Sequence, residues 1–88
     1  MITSDQIRAA RALLRWSSEE LAMHSGVGSA TIKRFEAKNG IPSGRTATLS
    51  TIFNSLKMAG VEFIGDLETN PGVQLDIKKH QGYLESLK

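Results

Sequence analysis

The 88-residue chain has no cysteine. That removes disulfides, thiolate metal sites and a cysteine nucleophile, and leaves the fold to be held by packing alone. His24 and His80 are the only histidines, too few for a convincing metal cluster, so neither a metal nor a cofactor is expected. No uninterrupted apolar run exceeds a few residues, which argues against a membrane span. No stretch at the start combines a basic segment, an apolar segment and a small-residue cleavage site, so a cytoplasmic location is expected. A nucleophile beside a base, paired carboxylates and metal-ligand spacing are all missing, and enzymatic activity is not expected.

What remains is a composition that folds. With 40% hydrophobic and 23% charged residues the chain reads as globular, and its length suits one domain with a modest core. The net charge of +2 is unevenly divided. Residues 1–60 carry eight basic against four acidic side chains, a net +4, and residues 61–88 carry three against five, a net −2. A basic first part suits a polyanion-binding face followed by a segment with another task. Ordinary solvated surface charge accounts for the same division equally well.

Helix signals come early. Thr3-x-x-Gln6 is a capping box, and Ile7, Ala10 and Leu14 follow at helical spacing, predicting a first helix over residues 5–15. Ser17-x-x-Glu20 is a second capping box. Trp16 just before it and Leu21 just inside form a hydrophobic staple, predicting a short helix over residues 18–24 that Gly26 ends. Trp16 is read as core rather than as a platform for stacking bases, and His24 as a surface residue at the helix end. Ala30, Ile32 and Phe35 give a third helix from Ser29 to Ala37, with Gly28 as a weak cap. After a loop containing Asn39-Gly40 and Pro42, the spacing of Leu49, Ile52, Phe53 and Leu56 gives a fourth helix that stops at Gly60.

Beyond Gly60 the period changes to alternation. Val61 to Ile64 and Val73 to Ile77 read as two strands of a hairpin around Asn70-Pro71-Gly72. An isolated hairpin is marginal, so it must pack on the helices or pair with a second copy. Val61, Phe63, Val73 and Leu75 on an exposed edge are expected to favour dimerisation. The tail over residues 78–88 is either frayed or a short helix. The expected class is mainly α: four to five helices over residues 1–60 and the tail, with a C-terminal hairpin over residues 61–77.

The second and third helices meet the internal demands of a helix-turn-helix together. Counted from Ser18, the fourth, tenth, fifteenth and eighteenth residues (Leu21, Val27, Ile32, Phe35) supply a two-helix core. The fifth, Ala22, is small where the helices approach, and the ninth, Gly26, takes the turn. The chain resembles the lambda-repressor-like, or XRE-type, helix-turn-helix regulators. The likeness runs from Ile7 to Ala59 and is densest over residues 12–22 and 26–36, with Ala59-Gly60-Val61-Glu62-Phe63-Ile64 similar to the compact members. Ser18 stands where that family often has Gln, and Gly28 where it often has Ser or Thr.

That resemblance implies double-stranded DNA as partner, a two-fold homodimer, and a structural pair between Arg11 and Glu36. In such a domain the third helix enters the major groove, so Ser29, Ala30, Lys33 and Arg34 are the expected base contacts. Ser17, Ser18, Thr31, Lys38, Asn39 and Arg45 are the expected phosphate contacts. For Lys33 and Arg34 the competing account is a solvated helix face. The expected function is transcriptional regulation, with repression favoured. The alternative is an antitoxin-like or protein-interaction module on the same fold, with a protein partner met through residues 61–77.

Overall fold

The computed structural model of the chain describes residues 1–42 and 46–88. Those residues form α1 (Ser4–Leu14), α2 (Ser18–Ser25), α3 (Ser29–Ala37), α4 (Thr46–Met58), β1 (Val61–Ile64), β2 (Gly72–Leu75) and α5 (Ile77–Ser86). The fold is mainly α, with one small antiparallel sheet. No helix among the described residues is long and apolar enough to cross a membrane.

Both capping boxes set a helix start. Thr3 Oγ1 accepts from Gln6 N at 3.0 Å while Gln6 Oε1 accepts from Thr3 N at 2.9 Å. Ser17 and Glu20 repeat the exchange, with both bonds at 3.0 Å. Each cap satisfies amide groups that the first turn leaves without helical partners. α1 starts and ends one residue earlier than the expected range of 5–15, its end set by Arg15, which turns left-handed at φ 59°. Gly26 does the same for α2 at φ 75°, where the lack of a Cβ removes the steric penalty. Gly28 caps α3 with no side-chain hydrogen bond.

Ile7, Ala10 and Leu14 of α1, Leu21 of α2, Ile32 and Phe35 of α3, and Leu49, Ile52 and Leu56 of α4 close on one core that includes Trp16 and Val61. Burying each Ile or Leu side chain contributes about 1.5–3 kcal/mol. The end of α3 is pinned by α1. Ser4 Oγ donates to the Phe35 carbonyl at 2.6 Å, the Arg8 guanidinium donates to the Glu36 carbonyl, and Ser4 N donates to the Gly40 carbonyl at 2.8 Å. The Phe35 and Glu36 carbonyls of the last turn, which would otherwise lack helical partners, are thereby satisfied, and the loop that follows is tied down at Gly40.

The hairpin pairs Val61 with Leu75 and Phe63 with Val73. Gln6 Nε2 reaches the Gly72 carbonyl at 3.0 Å, tying the second strand to α1. That strand is shorter than the alternation suggests, since Ile77 belongs to α5. Asp76 is the reason: its amide still pairs with the Gly60 carbonyl at 2.9 Å, while its carboxylate accepts from Lys79 N at 3.0 Å and starts a helix. The tail is therefore helical. His80 Nδ1 lies 2.7 Å from the Ala59 carbonyl, fastening α5 to the end of α4. Gly60 makes that approach possible, because at φ 108° a Cβ there would stand 2.9 Å from His80 N.

Candidate nucleic-acid interface

α3 has two unlike sides. Ile32, Phe35 and Glu36 are buried, while Ala30, Lys33, Arg34 and Ala37 form an exposed stripe along the helix. Ser29 and Thr31 in its first turn are half-buried. The helix is held in this orientation by its apolar side and by Glu36, whose carboxylate accepts from Arg11 Nε at 2.8 Å and Nη2 at 2.7 Å. Arg11 also donates to the Trp16 carbonyl at 2.9 Å. The hydrogen bond to Glu36 holds the Arg11 guanidinium above its ordinary value against the opposing effect of burial.

Lys33 and Arg34 are neighbours in sequence but not in surroundings. Lys33 Nζ lies 2.8 Å from Glu19 Oε2, across the gap to α2, with both side chains well exposed. The hydrogen bond from Lys33 holds the Glu19 carboxyl below its ordinary value, assisted by the Glu19 backbone amide. Arg34 has no carboxylate partner among the described residues; its guanidinium sits 5.5 Å from the centre of the Phe35 ring. It lines an open cleft of about 410 Å³ with turn residues 26–28, Thr31, Phe35 and Thr48.

Of the other sequence-derived positions, Ser17 and Ser18 lie at the start of α2 and Lys38 and Asn39 follow α3. Ser17 is exposed before α2, where its hydroxyl already serves as the helix cap, and Ser18 is half-buried as the first residue of α2. Lys38 and Asn39 are exposed beyond the other end of α3. Arg45 lies outside the described residues. Glu19 joins Lys33 to the start of α2, and the cleft joins Arg34 to Thr31. Lys38 and Asn39 stand apart from both. In chemical terms the stripe offers two cations and neighbouring hydroxyls as hydrogen-bond donors, suited to acceptors on a polyanion.

Two features were hidden from sequence reasoning. Glu19 carried no signal beyond first-turn acidity, since its partner lies fourteen positions away on another helix. His24 is half-buried rather than a surface residue, and its ring stacks on Trp16 with centroids 4.0 Å apart and planes 4° apart. Its Nδ1 lies 2.7 Å from the Tyr83 hydroxyl, and burial pushes the Tyr83 phenol above its ordinary value. The cover comes from α5, which a local pattern around His24 does not foretell.

The apolar side chains of the hairpin are less exposed than expected. Val61 is buried in the core, and Phe63, Val73 and Leu75 pack against it. These four side chains face the helices, so they are not an exposed apolar edge. Glu62 and Gln74 face outward instead, joined by a hydrogen bond of 2.8 Å. No protein-family model matches the chain, and no curated protein matches it.

Proposed function

We propose that the protein is a sequence-specific DNA-binding transcriptional regulator of the lambda-repressor-like group, acting as a repressor in the cytoplasm. In this reading α2, the turn at Gly26 and α3 are a helix-turn-helix, and α3 enters the major groove. The observation that carries it is the exposed stripe of Ala30, Lys33, Arg34 and Ala37 on a helix whose opposite side is locked to the core. Such a helix presents donors rigidly, which is what reading base edges requires.

Roles follow from position. Arg34, without a carboxylate partner among the described residues, is suited to donate two bonds to guanine O6 and N7. The Ala30 methyl suits a thymine methyl, and Ser29 enters beside it at the helix start. Ser17, Ser18, Thr31, Lys38 and Asn39 border the stripe where phosphates would pass on either side. Two copies with their α3 helices about 34 Å apart would meet a near-palindromic site.

Selection of bound sequences from a random DNA pool, followed by titration of the selected duplex at graded salt, tests the reading. The expected result is an enriched, near-palindromic motif whose affinity falls steeply with salt, bound by two copies in sedimentation. Failure to enrich any motif, with equal affinity for selected and random duplex, would contradict it.

A further inference from the structure

We propose that Glu19 is a positioning residue that aims Lys33 as a base-reading donor, keeping its ammonium on the α2 side of the groove-facing stripe rather than free to wander to phosphates. The inference rests on the DNA-binding function proposed above.

The two acidic residues in the first turn of α2 have different duties. Glu20 is committed to the capping box, its carboxylate accepting from Ser17 N at 3.0 Å. Glu19, one residue earlier, is turned to Lys33 at 2.8 Å. A lysine ammonium has three donors, so one bond to Glu19 leaves two for base acceptors, with the head group biased toward α2 by the first. Without that anchor a lysine is a flexible point charge on a four-carbon stem, equally served by any phosphate oxygen. The contrast with Arg34 supports the assignment. A planar guanidinium carries its own directionality, and Arg34 has no carboxylate partner among the described residues.

The carboxylate has a second effect. Non-specific binding is driven by cations meeting phosphates. A negative charge on the same face opposes every duplex alike, whereas the oriented Lys33 favours only sequences that place an acceptor in its reach. Glu19 therefore lowers binding to random DNA and raises it to the right site.

The test compares wild type, Glu19→Gln, Lys33→Ala and the double variant, each checked for folding by thermal unfolding, against selected and random duplexes. Glu19→Gln is expected to raise affinity for random duplex by about 1.4- to 5-fold, the range that corresponds to an exposed ion pair. It should relax base preference at the same position as Lys33→Ala, and the double variant should relax it no further. An unchanged preference in Glu19→Gln overturns the proposal. So does relaxation at a different position, which would mark Glu19 as a direct reader. In the DNA-free protein, NMR titration should find the Glu19 carboxyl below its ordinary range and moving back toward it in Lys33→Ala. An ordinary, unresponsive Glu19 overturns the proposal whatever the DNA result. Wild type that binds no duplex overturns the DNA-binding reading itself, even with the Glu19 titration as expected.

Discussion

Arg11 and Glu36 meet through two parallel N–H···O bonds of 2.8 and 2.7 Å, and through them α1 holds α3 in place. Glu36 is 8% exposed and the Arg11 side chain 22%. Removing one partner leaves a mostly buried charge unpaired. Glu36→Ala is therefore expected to lose about 3 kcal/mol or more of stability, measured by urea unfolding. A double Arg11→Met, Glu36→Leu variant should recover much of that loss, because neither desolvated charge remains. Recovery should be incomplete, since the Trp16 carbonyl also loses its donor.

The Trp16, His24 and Tyr83 cluster joins α5 to α2, and the chain has only one Trp and one Tyr to report on it. Tyr83→Phe keeps the ring and removes the 2.7 Å contact, so a loss of about 1 kcal/mol is expected. In alkaline titration followed by tyrosinate absorbance, Tyr83 should ionise above the value of the unfolded chain. The neutral phenol is favoured in the folded state, so its contribution is complete below the ordinary tyrosine value and is lost as pH rises through the raised one. Ionisation at the ordinary value would contradict the burial of the Tyr83 phenol.

Glycine positions give a contrast of sign. Gly60→Ala places a methyl 2.9 Å from His80 N and 3.0 Å from the Asp76 carbonyl, on a backbone at φ 108°. A loss of roughly 2 kcal/mol or more is expected in thermal unfolding. At Gly28 nothing lies within 4 Å of an added Cβ, and φ is −60°. Gly28→Ser supplies the missing cap hydroxyl to α3 and should gain a few tenths of a kcal/mol.

The legible part of the fold was the part written in local signals. Thr3-x-x-Gln6 and Ser17-x-x-Glu20 mark two helix starts, and Gly26 and Gly60 mark two ends, because caps and stops act within a few residues. α5 was harder to read. Ile77 continues the alternation of Val73 and Leu75, and Asp76 lacks a Glu or Gln three positions later that would complete a capping box. His80 and Tyr83 carry the helical spacing, but their partners are the Ala59 carbonyl and His24, far away in sequence. The exposed stripe on α3 was readable from period alone, whereas the divergence of Lys33 and Arg34 depends on Glu19, which α2 brings.

If α3 reads bases and its flanks hold phosphates, two variants should behave differently. Arg34→Ala should relax preference at one base-pair position, with a penalty of about 1–3 kcal/mol on the selected site. Lys38→Ala should weaken selected and random duplexes to a similar degree and reduce the salt slope by about one unit. Equal effects of both variants on selected and random DNA would remove the distinction between reader and clamp.

The most direct test is an amide chemical-shift map of the labelled protein with its selected duplex. Shifts concentrated at Ser29, Ala30, Lys33 and Arg34, with smaller ones at Ser17, Ser18, Lys38 and Asn39, are the predicted result. Shifts concentrated on the hairpin and α5, with α3 unmoved, would contradict the assignment of α3 as the reading helix.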